Sequence, residues 1–236
     1  RLAHVRAEAL ELGPNPGPDP DTMAALSQDI SIHEYGHAVS SRLVGGPSNI
    51  TALSNNQGAG MGEGWGDWHA LMLTQKDTDT ATTEKVNGNY YLENTAGVRA
   101  YPYTTDMAIN PLTYDSYNGT FPNGSPGSQR HNAGTIWASV LWDMNWQMVN
   151  RCDFDDDFYT GTGGNNTALQ LVMDGMKLSP IDPSFLDARD AILQADQVLT
   201  GGENHFDIWT AFAGRGMGFS ADDGSTNSDT PVEALD

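Results

Sequence analysis

A single cysteine, Cys152, occurs among 236 residues, so no disulfide can form within the chain. A small scaffold stapled by bridges is thereby excluded, while the count is neutral about compartment for a domain of this size. Basic residues are scarce as well: 11 Lys and Arg stand against 31 Asp and Glu, a formal net charge of −20. That balance excludes nucleic acid as a partner, because holding phosphates needs a basic footprint. It also keeps a surface soluble, discourages contact with anionic membranes, and suits a salty or extracellular setting. No apolar run approaches the length of a membrane span, and Arg1-Leu2-Ala3-His4 does not read as a secretory leader. Secretion is therefore expected to depend on a targeting segment outside these residues.

What is plentiful is Gly (26) and Pro (12), which predict long ordered loops between helices. A short helix over 1–12 and a Pro/Gly linker over 13–22 are expected, followed by helical periodicity from Ser27 or Asp29 through Ile30, His33, Val39 and Leu43. Gly45-Gly46-Pro47 stops that helix. A second helix is predicted to open near Gly62 and run to about Gln75. Residues 76–130 show no sustained period and read as loop with short extended pieces, the kind of stretch that lines a cleft. A third helix, about 131–150, is apolar around much of its girth, so Trp137, Trp142 and Trp146 are assigned to the core. Further helices are expected at about 167–178, 184–199 and 204–214, with Ser184 and Asp187 placed as a capping box. The chain is thus expected to be mainly α with few strands. It divides into an N-terminal segment over 1–28 and a domain over 29–236.

His33-Glu34-Tyr35-Gly36-His37 is an HExxH motif inside the first of these helices. Residues four apart share a helix face, so both imidazoles can address one metal ion, and the Glu34 carboxylate can reach a water there. A third ligand is offered by Gly62-Glu63-Gly64-Trp65-Gly66-Asp67. Glu63 completes a His₂Glu set with one open position, the arrangement of hydrolytic zinc. Asp67, one turn on, can accept the free ring N–H of His33 or of His37. Both acids can also be read as ordinary first-turn residues favoured by the helix dipole. Other zinc patterns fail by position: a further His ligand would fall at Leu43, and shorter spacings to an acid meet Asn56 and Gln57.

The segments HEYGHAVSSRLVGG and GMGEGWGDWHAL resemble the fungalysin family of secreted zinc endopeptidases, and the likeness continues in order through AYPYTTDMAINPLTY, RHNAGTIWASVLWDM and WTAFAGRGMGFSA. The resemblance implies His33, His37 and Glu63 as ligands of one Zn²⁺, Glu34 as catalytic acid/base and Asp67 as the partner of a ligating His. It also implies His131, at the start of the third helix, as a donor beside the metal. Arg99 and Tyr101 lie in a loop that can line the cleft, although an Arg bonded to loop carbonyls reads equally well. His4, His69 and His205 have no motif around them. The implied fold is the helical half of a thermolysin-like (HExxH–Glu) metallopeptidase, and the implied substrate is a protein or peptide.

About 28 residues precede the HExxH helix, with no series of strands for the sheet that such peptidases use to bind substrate. The strand-rich half is therefore expected on a partner chain or a second copy, or to be removed or reduced. This feature keeps open a rival from another class, a non-catalytic assembly or binding protein that retains zinc and fold. Asp153, Asp155 and Asp157 alternate like the start of a calcium loop, but Phe158 and Gly164 exclude an EF-hand and leave only an irregular Ca²⁺ site. Glycosylation-type triplets at Asn49, Asn118, Asn123 and Asn165 arise readily by chance in a chain of this composition.

Overall fold

A computed structural model describes residues 24–236. The helix expected over 1–12, the linker over 13–22 and His4 lie outside the described residues. A 3-10 turn, Ala24–Leu26, leads into α1 (Gln28–Leu43), followed by α2 (Asn56–Thr74) and the short α3 (Asn89–Leu92). A second 3-10 turn, Tyr114–Asn118, precedes α4 (Arg130–Cys152), α5 (Gly164–Leu178), α6 (Phe185–Leu199) and α7 (His205–Gly214). Only isolated bridges occur among the described residues, with no named strand. The architecture is mainly helical, consistent with the helical half of a thermolysin-like metallopeptidase.

α1, α2 and α4 form the frame of the site, with α2 in the middle and buried from Gln57 to Met72 save for Ala59. Its start is six residues earlier than expected from sequence, because Asn55 caps it by accepting from Gly58 N at 3.1 Å. Each interior glycine costs a helix about 0.5–1 kcal/mol relative to Ala. Here the glycines are offset by close approach. A Cβ on Gly66 would stand 2.7 Å from His33 Nδ1, and one on Gly64 would stand 2.7 Å from the Gly134 carbonyl of α4. Missing side chains thus let three backbones converge where the histidines and Glu63 meet.

The core lies beneath, built on fully buried Trp65, Trp68, Trp137 and Trp142, with Trp146 nearly so. α5 and α7 pack against α4, and α6 packs against α5 and α7. The expected capping box of α6 is present, with Ser184 N donating to Asp187 at 2.9 Å and Asp187 N to Ser184 Oγ at 3.1 Å.

The long stretch between α2 and α4 is held by cations rather than by a sheet. Lys85 Nζ donates to the Thr74 carbonyl (3.0 Å) and Asp79 (2.9 Å), and its backbone pairs with Tyr103. Arg215, fully buried, donates to the carbonyls of Asn110, Leu112 and Thr104 and pairs with Asp143 at 2.7 Å. Between these clamps the loop carries Arg99 and Tyr103 back against α2.

Candidate metal centre

α1 presents His33 and His37 on one face, their rings edge-on with centroids 4.7 Å apart. Glu63, from the middle of α2 rather than its first turn, meets both: Oε2 lies 3.4 Å from His33 Nε2, and Oε1 lies 4.0 Å from His37 Nε2. Mid-helix placement removes the dipole-favoured reading of this acid, since that effect fades beyond the first turn. One ligand atom from each of the three residues falls within 4.8 Å of the others. A tetrahedral zinc with bonds of roughly 2.0–2.2 Å sets its donors about 3.4 Å apart, so the group fits one ion with small inward movement. No other set of three such residues converges in this way among the described residues.

A clamp of hydrogen bonds surrounds the ligands. Asp67, 1% exposed, takes His33 Nδ1 at 2.7 Å, which leaves Nε2 facing Glu63. Of the two rings that the sequence left open, it is His33 that Asp67 holds. The other side of Asp67 is filled by Arg99, whose Nε (2.6 Å) and Nη2 (3.0 Å) both donate to it, and by the Tyr103 hydroxyl. Arg99 Nη2 also stands 3.5 Å from Glu63. Arg99 is therefore bonded to carboxylates rather than to loop carbonyls. Tyr101 packs against Phe121 at the core edge. Tyr103 lies within the AYPYTTDMAINPLTY segment, four positions beyond Arg99, but nothing in the sequence singled it out.

The charges respond to this crowding. Burial alone would push the Glu63 carboxyl up, yet the hydrogen bond from His33 and the fields of His131, His37 and Arg99 bring it down to about 2. Burial works against the Asp67 carboxylate too, and Arg99 and His33 hold it far below the usual range. For His33 burial favours the neutral ring, but bonds to Asp67 and Glu63 outweigh it and lift the imidazole to about 9. His37 is pushed down by burial and by the charge of His33. A bound cation would displace the proton held on His33 and pair with the anionic Glu63 carboxylate.

Glu34 sits exposed on α1 beside this group, close enough for its charge to act on His37. His131, the second residue of α4, is half exposed and brings Nε2 to 3.5 Å from Glu63 Oε1. Its ring is pushed toward the neutral form by burial, against the pull of Glu63. His69 is a buried ring whose Nδ1 bonds the Trp65 carbonyl at 2.6 Å, and His205 lies on the surface of α7.

In the Asp153–Asp157 loop, Asp155 accepts from Asp157 N and Thr162 N, and Asp157 accepts from Tyr159 N and Thr160 N. Both carboxylates thus brace the turn between α4 and α5. Asn165 is fully buried, with both ends of its amide bonded to the Asp155 backbone, so in the fold it presents no free amide to a sugar.

Comparison with known proteins places this geometry in a family. The model for fungalysin metallopeptidases (M36) matches residues 17–221. Extracellular metalloproteinase 10 of Coccidioides posadasii is 43% identical over 209 residues, covering 86% of this chain and 32% of that protein. The extracellular metalloproteinase mep of Aspergillus fumigatus is 43% identical over 204 residues (84% and 31%), and extracellular metalloproteinase 2 of Trichophyton tonsurans 40% over 217 (88% and 33%). The chain thus spans about a third of the length of these relatives. With the matched span containing both histidines, Glu34, Glu63 and Asp67, the chain belongs to the fungalysin metallopeptidase family.

Proposed function

We propose that this chain carries the catalytic centre of a secreted zinc endopeptidase that hydrolyses internal peptide bonds of proteins. The observation that carries the reading is the convergence of His33, His37 and Glu63 within 4.8 Å, with Glu34 exposed beside them. Imidazole nitrogens and one carboxylate suit zinc, and three protein ligands leave a position open for chemistry. Zinc held there supplies a Lewis acid that polarises the scissile carbonyl and makes water acidic near neutral pH.

The residues of the chain divide the remaining work. Glu34 takes a proton from the attacking water and passes it to the leaving amine, a transfer that its freedom from competing partners among the described residues favours. His131 donates a hydrogen bond to the oxygen on which negative charge develops. Asp67 and Arg99 keep His33 and Glu63 in place and act on substrate only through them. Extracellular action is supported by the names of the relatives, and the acidic composition suits it. Tyr35, 72% exposed on α1, and Leu26, 68% exposed just before it, suit a covering surface supplied by a partner chain or a second copy.

The test is zinc content and cleavage of a protein substrate, with and without a chelator, beside Glu34→Gln. Zinc-dependent cleavage abolished by that change, with zinc still bound, is the expected result. Zinc bound at these ligands with no turnover under any condition supports the non-catalytic binding protein instead.

A further inference from the structure

Residue 129 is an unusual cap. It stands immediately before α4, where Ser, Thr, Asp or Asn would be the common choice. The chain has Gln129 there, whose longer side chain curls back so that Oε1 accepts from His131 N at 2.8 Å and from Asn132 N at 3.3 Å. Those two bonds fix which end of the amide is which, because only the oxygen can accept. The other end, Nε2, then lies 2.9 Å from His131 Nδ1.

An amide nitrogen only donates. Nδ1 of His131 must therefore be the unprotonated nitrogen of a neutral ring, and the ring proton sits on Nε2. That nitrogen faces the metal centre, 3.5 Å from Glu63 Oε1, and the ring is open enough for a substrate to reach. A shorter cap could satisfy the helix end without reaching the ring. A carboxylate cap could reach it, but would draw the proton to Nδ1. We infer that Gln129 is a positioning residue: it holds His131 as a neutral Nε2–H donor aimed at the oxygen that becomes charged in peptide hydrolysis. The inference rests on the proposed peptidase function for its consequence, and on the hydrogen-bond geometry alone for the tautomer.

Gln129→Glu separates the two roles of the side chain, since a carboxylate oxygen can still cap α4 while its partner oxygen can only accept. The experiment uses zinc-loaded full-length protein with ¹⁵N-labelled histidine, at an alkaline pH where the His131 ring is neutral. Long-range proton–nitrogen correlations are expected to show Nε2–H in the parent chain and Nδ1–H in Gln129→Glu, with His131→Ala giving the assignment. At the same pH, kcat for a peptide substrate is expected to fall about 10²–10³-fold in Gln129→Glu, as for loss of one oxyanion donor, with KM little changed. Gln129→Asn, which caps but is too short to reach the ring, retains more kcat than Gln129→Glu. An Nδ1–H ring in the parent chain overturns the inference whatever the activity. So does an unchanged kcat in a Gln129→Glu protein whose ring has switched. The expected tautomers without turnover in the parent chain support the assignment of the ring and instead sink the peptidase reading.

Discussion

Replacing Asp67 by Asn asks whether the buried carboxylate organises the metal centre. Asp67 accepts from His33 (2.7 Å), from two nitrogens of Arg99 (2.6 and 3.0 Å) and from Tyr103. The amide keeps the volume but removes the charge, and one oxygen becomes an NH₂ that cannot accept. Whichever way it turns, Arg99 loses a bond and keeps as counter-charge only Glu63, at 3.5 Å. Stranding one partner of a buried ion pair costs about 3–5 kcal/mol. That is a large part of the roughly 5–15 kcal/mol by which a domain is stable. His33 loses its anionic acceptor at the same time, which should weaken metal binding by about 10–100-fold. Urea denaturation in a chelator reads the first effect, and competition for zinc with a chromophoric chelator reads the second. The double variant Asp67→Asn/Arg99→Met should be less destabilised than the two single changes summed, because it leaves neither charge alone. An Asp67→Asn protein that unfolds within about 1 kcal/mol of the parent and binds zinc equally well would refute the clamp.

Two further outcomes are expected. Gly66→Ala puts a Cβ 2.7 Å from His33 Nδ1 and 3.0 Å from its carbonyl oxygen, so α1 must move; overpacking of about 1–3 kcal/mol should exceed the helix-propensity gain and weaken zinc binding. Gly214→Ala, with nothing within 4 Å of the added carbon, is the contrast: calorimetry should find it neutral or stabilised by up to about 1 kcal/mol. The second outcome concerns pH. Glu63, held at about 2 against an ordinary 4.5, contributes stability present above 4.5 and lost as pH falls toward 2. His33, lifted to about 9 from 6.5, contributes stability present below 6.5 and lost as pH rises through 9. The metal-free chain should therefore be most resistant to urea between pH 4.5 and 6.5 and weaken below and above that window. Bound zinc, which needs His33 unprotonated, should remove the alkaline decline; a metal-free chain whose stability holds flat from pH 6.5 to 9.5 would contradict the lifted His33.

Read without the fold, the residues placed His33 beside His37, because helical spacing puts them on one face, offered Glu63 through its motif, and gave most helices, whose apolar stripes and stop signals are local. They could not give the true start of α2. Glycine at 58, 60, 62, 64 and 66 argues locally against a helix, and only the contacts of Gly66 with His33 and of Gly64 with Gly134 make that backbone favourable. Arg99 was legible as a candidate but not its partner, since an irregular loop has no period from which to read a direction. The roles of Tyr103 and Gln129 were not legible. A tyrosine in a loop and a glutamine before a helix are ordinary residues until folding sets one against Asp67 and the other against His131. That two histidines share a helix face follows from short-range periodicity, which sequence encodes directly. The orientation and protonation of His33 and Glu63 follow from groups tens of residues away, Asp67 for the first and Arg99 for the second, which meet them only when α1, α2 and the loop after α2 have packed.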